Sequence, residues 1–132
     1  MLTNVYLFYH SVPGAPPQTL AAYSTGSSSI YVSWQKIEAD KQHGIMLGYQ
    51  LFFYEVTTVG RLQRMENYTY GLAVQGTNVT GLEKFTKYRA EVHGFNNYGD
   101  GPSGVVEVFT EEGSECPLQY LGRLNGMTVK FD

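Results

Sequence analysis

The sequence predicts an all-β fold, a seven-stranded antiparallel β-sandwich, on three observations. Aromatic residues and glycine are abundant, with 11 Tyr, 7 Phe and 15 Gly among 132 residues, while charged residues make up only 16%. That mixture suits strands joined by tight turns. Apolar residues recur at period two in short runs, and clusters of Gly, Pro, Asn and Ser separate most of them. About seven such runs, each with one apolar face, are what two stacked antiparallel sheets require.

Taken in order, Val12 to Gln18 (VPGAPPQ) is excluded from helix, because its prolines fix φ and remove backbone donors. It reads as an extended lead-in. Leu20 and Ala22 follow at period two, before the turn cluster STGSSS. Ile30, Val32 and Trp34 share one face of the next strand. QKIEADKQHG is polar and turn-like, and Gly48 to Glu55 is the third strand. Tyr49, Leu51 and Phe53 point one way there, and Gln50, Phe52 and Tyr54 the other. Weaker patterns place short strands at 57–64, 70–75 and 77–80, the last ended by Gly81. In the segment GLEKFTKYRAEV, Tyr88, Ala90 and Val92 alternate with Arg89, Glu91 and His93. Asn97 to Pro102 (NYGDGP) reads as a loop, and Gly104 to Thr110 closes the series with Val106 and Val108 inward.

The domain division is a leader or linker over 1–12, the sandwich over 13–112 and a tail over 113–132. The tail carries Asn125-Gly126 between two apolar-rich runs, a strong hairpin signal that a complete sandwich does not need. It reads as an extra β-hairpin or the start of a next module. The opening MLTNVYLFYHS is apolar, but it lacks the basic region and small-residue cleavage site of a signal peptide. No apolar run approaches the roughly 18 residues of a membrane span, so a soluble segment with no direct membrane insertion is expected.

A net charge of -3 and a pI near 5.5 argue against a nucleic-acid partner, which needs clustered Lys and Arg. Cys116 is the lone cysteine, so the chain holds no internal disulfide, and this thiol is either free or bridged outside the chain. His10, His43 and His93 lie on separate segments without paired spacing, so no metal is expected. Neither a nucleophile elbow, a phosphate loop nor an HExxH helix is present. No catalytic residue and no cofactor is expected.

In this order and spacing, PGAPP, Trp34 within SIYVSW, GYQLFFY, TGLEKFTKY and FNNYGDGPSG resemble a fibronectin type III domain over about Pro13 to Thr110. The resemblance implies the immunoglobulin-like topology of that family, whose members are overwhelmingly non-catalytic modules. It also implies that Trp34 plugs the core, which Tyr49 joins by its inward place in the alternation, and that Tyr88 packs near Leu82 in a corner. There the Tyr88 hydroxyl bonds to backbone a few residues upstream. Lys84 stands where the family often has Pro, so the corner lacks its usual stiffener. The Trp34 indole N–H is expected to find an acceptor.

Two sequons, Asn67-Tyr68-Thr69 and Asn78-Val79-Thr80, mark candidate N-glycosylation sites and an extracellular or cell-surface parent. Period-two alternation also turns several aromatics outward on the sheet of the third, sixth and seventh strands, where polar residues are usual. The candidate interaction face is Phe52, Tyr54, His93, Phe95, Tyr98, Asp100 and Phe109. Its occupant is either a protein partner or a neighbouring domain or the tail of the same chain. The function expected is a non-catalytic interaction or spacer module of an adhesion or receptor protein. The alternatives are an intracellular or matrix spacer, or an accessory module of a carbohydrate-active enzyme. Neither an RGD tripeptide nor a WSxWS motif is present to narrow this.

Overall fold

The computed structural model describes residues 11–112. Seven strands form two antiparallel sheets: β1 (Gln18–Ser24), β2 (Ile30–Gln35), β3 (Met46–Val56), β4 (Leu62–Tyr70), β5 (Gly76–Val79), β6 (Lys87–Asn96) and β7 (Gly99–Phe109). One sheet has the order β1-β2-β5 and the other β4-β3-β6-β7. The fold class is therefore the sandwich that the alternation predicted.

The inward residues are those the period-two reading selects. Ile30, Val32 and Trp34 on β2 face Tyr49, Leu51 and Phe53 on β3 and Tyr88, Ala90 and Val92 on β6, and none is more than 1% exposed. Aromatic rings join the sheets, with the Trp34 centroid 6.1 Å from Tyr49 and 5.9 Å from Tyr70. Ile37, within the polar stretch QKIEADKQHG, is also fully buried. Its N–H donates to the Tyr49 hydroxyl at 3.2 Å. Sequence periodicity missed Ile37 because a single core residue in a loop has no period to reveal it. The Trp34 indole N–H, by contrast, meets no acceptor among the described residues.

Two boundaries differ from expectation. The weak strands at 57–64 and 70–75 are in fact one strand, β4, with turns on either side. Thr57 makes the first turn: its N–H donates to the Arg61 carbonyl at 2.8 Å and its Oγ1 accepts the Arg61 N–H at 3.1 Å. Alternation fails along β4 because it is an edge strand whose residues 62–67 are all exposed. The loop read at 97–102 shrinks to Asn97 and Tyr98, and Gly99 to Pro102 already belong to β7. Asn96 tightens this hairpin, its Oδ1 accepting the N–H of Tyr98 at 2.8 Å and of Gly99 at 3.2 Å. β7 is an edge strand, where Gly and Pro are tolerated within a ladder.

The crossing from β5 to β6 is the most heavily tied corner. The Tyr88 hydroxyl accepts the Glu83 N–H at 2.9 Å, and its ring stacks on Phe53 at 5.3 Å. Leu82 donates its N–H to the Ser28 carbonyl and Phe85 to the Glu111 carbonyl. Thr110, buried, donates its hydroxyl to the Glu83 carbonyl at 2.7 Å and accepts the Thr86 N–H at 2.9 Å. Stiffness that proline would supply at Lys84 comes here from cross-strand bonding.

Three outcomes test this packing. Tyr88→Phe orphans the Glu83 N–H and should cost about 1–3 kcal/mol in urea melts; an unchanged midpoint would remove the corner bond from the account. A Cβ at Gly94 would lie 2.6 Å from Ile37 Cδ1 and 2.9 Å from Met46 Cε. Gly94→Ala should therefore destabilise by about 1–3 kcal/mol through overpacking. Burial raises the phenol pKa of Tyr49 and of Tyr88, against smaller lowering by the bonds from Ile37 and Glu83. The folded pKa exceeds the unfolded value of about 10, so stability is full below that value and falls as pH rises through the folded one. Melts from pH 8 to 11 should show a plateau and then a decline, shallower in Tyr88→Phe.

Candidate interaction surface

The outer face of the four-stranded sheet carries the predicted aromatics, but not as one continuous patch. Lys87, Arg89 and Glu91 on β6 alternate with the buried Tyr88 and Ala90, so their charges cross the middle of that face. Arg89 Nε lies 2.9 Å from Glu91 Oε2, and Glu107 on β7 takes Lys87 Nζ at 3.1 Å and Arg89 Nη1 at 3.6 Å. Such partly exposed pairs add at most about 1 kcal/mol each, yet they present a polar belt. Phe109 lies on one side of it, opposite Lys87, and Phe52, His93 and Phe95 lie towards the other.

Each predicted residue has a distinct setting. Phe52 and Tyr54 are half-buried. The Arg64 guanidinium sits 5.0 Å from the Phe52 ring centroid, and the His93 ring 5.7 Å from it. His93 occupies an outward register position, opposite Gln50 and Ser103, but is only 4% exposed. This corrects the expectation of direct contact. A bulge sets His93–Phe95 against Asp100–Ser103, one residue more on β7, and the Phe52 ring lies alongside. His93 Nε2 has no hydrogen-bond partner among the described residues, with Asp100 Oδ1 at 3.6 Å. Phe95 is half-buried, whereas Tyr98, Asp100 and Phe109 are exposed.

Alternation alone overlooked two members of this surface. Ile45 is 71% exposed and Leu47 53%. The Ile45 N–H donates to Asn97 Oδ1 at 3.0 Å, which ties this segment to the Tyr98 turn. Leu47 is the extra residue of a bulge, between the pairs Met46–Asn96 and Gly48–Phe95. Straight alternation from Tyr49 would turn Leu47 inward; the bulge turns Met46 inward and Leu47 out. Ile45, Leu47, Phe95 and Tyr98 thus gather at one end of the sheet, with Asp100 beside them.

At the other end, Phe85 and Phe109 approach with ring centroids 6.4 Å apart. With Glu55, Val56, Thr86 and Lys87 they line an open groove of about 460 Å³. Phe85 is half-exposed and holds φ of 52°, a left-handed conformation costly for a bulky side chain. Phe85→Gly should therefore raise stability by about 1 kcal/mol in urea melts. A loss would show that ring contacts outweigh the backbone cost.

No group of three or more His, Cys, Asp or Glu able to hold a metal ion occurs among the described residues. No helix among them is long and apolar enough to cross a membrane. Asn67 and Asn78 are exposed on the edge strands β4 and β5.

Comparison with known proteins agrees with this geometry. The fibronectin type III domain matches residues 15–109. The chain is 35% identical over 105 residues to mouse receptor-type tyrosine-protein phosphatase F, covering 77% of the chain and 5% of that protein. It is 29% identical over 106 residues to the human cell adhesion molecule DSCAM, covering 80% of the chain and 5% of that protein. The chain thus spans about one-twentieth of the length of these relatives, so the phosphatase likeness carries no catalytic implication. In fold it is similar to the third fibronectin III domain of human KIAA0343 protein, with a TM-score of 0.68 at 20% identity, covering 81% of this chain and 90% of that one.

Proposed function

The chain belongs to the fibronectin type III family, a non-catalytic fold, and on that premise we propose that it is an interaction and spacer module of a cell-surface adhesion or receptor protein. The relatives described above are themselves a receptor and an adhesion molecule, which supports an extracellular setting. The observation that carries the interaction reading is the exposed apolar cluster of Ile45, Leu47 and Tyr98, rimmed by Asp100. Soluble domains seldom gather exposed apolar residues without a contact to make, and an apolar centre with a polar rim is the anatomy of a protein interface.

The mechanism is display. Central strands β3 and β6 pair along their length, and the contact residues lie at or just beyond their adjoining ends, β3 beginning where β6 finishes. A bulge at Leu47 and the Asn96-capped turn at Tyr98 aim the side chains outward. The site is therefore formed before a partner arrives, which lowers the ordering cost of binding. The groove at Phe85 and Phe109 lies beside Glu111, where the described chain leaves the sandwich, and suits contact with a following segment or module.

Two measurements test the reading. Surface biotinylation of cells expressing the native protein should label it, and a wholly cytosolic protein would end the extracellular assignment. A multivalent form of the chain should bind cells bearing its partner, and Leu47→Ser with Tyr98→Ser should weaken that binding about tenfold or more, as loss of central interface contacts does. Equal binding by the folded double variant would move the contact surface elsewhere.

A further inference from the structure

The two sequon asparagines share a setting that the sequence does not reveal. Asn67 on β4 is the direct cross-strand partner of Phe52, and Asn78 on β5 is the direct cross-strand partner of Tyr31. In both cases an exposed edge-strand Asn stands next to an aromatic residue of an inner strand, on the outer face of its sheet. Their two strands share one lateral edge of the sandwich, since the Tyr70 hydroxyl of β4 donates to Thr77 Oγ1 of β5 at 3.0 Å, while the two asparagines face outward from opposite sheets.

We propose that Asn67 and Asn78 are N-glycosylated and that the innermost sugar of each glycan packs on its neighbouring ring, Phe52 or Tyr31. The inference rests on the extracellular reading above. In the transfer, Asn Nδ2 attacks the anomeric carbon of an oligosaccharide carried on a lipid diphosphate. A C–N bond forms, the C–O bond to the diphosphate breaks, the lipid diphosphate leaves and the amide gives up one proton to the transferase.

The local geometry suits the product. Val79, the middle residue of the second sequon, is buried and anchors the strand, while Asn78 and Thr80 are exposed. Thr25 Oγ1 donates to Asn78 Oδ1 at 3.4 Å, using the oxygen and not the nitrogen that would carry the sugar. The Tyr31 ring reaches over β5, since a Cβ at Gly76 would lie 2.7 Å from Tyr31 Cζ. Tyr23 extends this surface, its ring 5.7 Å from Tyr31. At the other site the guanidinium of the exposed Arg64 lies over the half-buried Phe52 ring, 5.0 Å from its centroid, with the His93 ring 5.7 Å away. The sugar therefore reaches the ring face by displacing this long side chain. The weakly polarised C–H face of a pyranose is a natural partner for the electron-rich face of an aromatic ring.

Sugars there would also solve a second problem. β4 and β5 are edge strands with unpaired backbone groups, a liability for edge-to-edge association. Glycans on this side block such pairing and leave the Leu47–Tyr98 end of the four-stranded sheet for a partner.

The full chain, given a cleavable secretory leader and expressed in mammalian cells, tests the proposal whatever the native protein's location. Mass spectrometry before and after enzymatic deglycosylation should show both asparagines occupied, with Asn67→Gln and Asn78→Gln each losing one glycan. An empty site overturns the proposal for that strand. The glycosylated chain should melt roughly 2–5 °C above its deglycosylated form. In Phe52→Thr with Tyr31→Thr that gain should disappear. As a measure independent of stability, the innermost N-acetylglucosamine protons should show upfield ring-current shifts that are lost in the same variants. Occupied sites with equal melting gains in both backgrounds and no ring-current shift would overturn the packing.

Discussion

The hydrogen bond from the Glu83 N–H to the Tyr88 hydroxyl is the contact on which the arrangement of the two sheets depends. It sits where the chain leaves β5 in one sheet and enters β6 in the other. A buried phenol is tolerable only with its polar end satisfied, and the bond satisfies it while fixing the crossing. The Tyr88 ring then stacks on Phe53, so the same residue ties corner, core and β3 together. Thr110 repeats the logic from β7 by bonding to Glu83 and Thr86 of the corner.

With the corner fixed, the pairing of β3 with β6 follows, and with it the outer face. The register that buries Leu51 against Val92 also sets Phe52 beside Glu91 and Tyr54 beside Arg89. Inner packing and outer display are therefore one constraint, because a one-residue slip would exchange the two faces. The bulges at Leu47 and at His93–Phe95 are the places where this coupling is relaxed. They lie at the end of the sheet proposed to bind, where departures from ideal geometry commonly serve function.

Much of the fold was legible because burial in a sandwich has a period of two. Ile30, Val32, Trp34, Tyr49, Leu51, Phe53, Tyr88, Ala90 and Val92 were all inward on that basis, and all are buried. Strand β4 was misdivided because an exposed edge strand needs no alternation to satisfy its faces. Ile37 was missed because loop burial leaves no pattern. The tail signal at Asn125-Gly126 and the thiol at Cys116 lie outside the described residues.

The candidate surface divides along the same line. By itself the sequence determined the sandwich, its core-facing residues and which aromatics turn outward, since each follows from alternation along a single strand. Tertiary structure decided how those residues assemble. It buried His93 and broke the aromatic stretch with the Arg89–Glu107 belt. It also brought out Leu47 through a bulge and set Phe52 and Tyr31 beside Asn67 and Asn78. The physical reason is that register and bulges are properties of paired strands, and no one strand carries its partner's alignment in its own pattern.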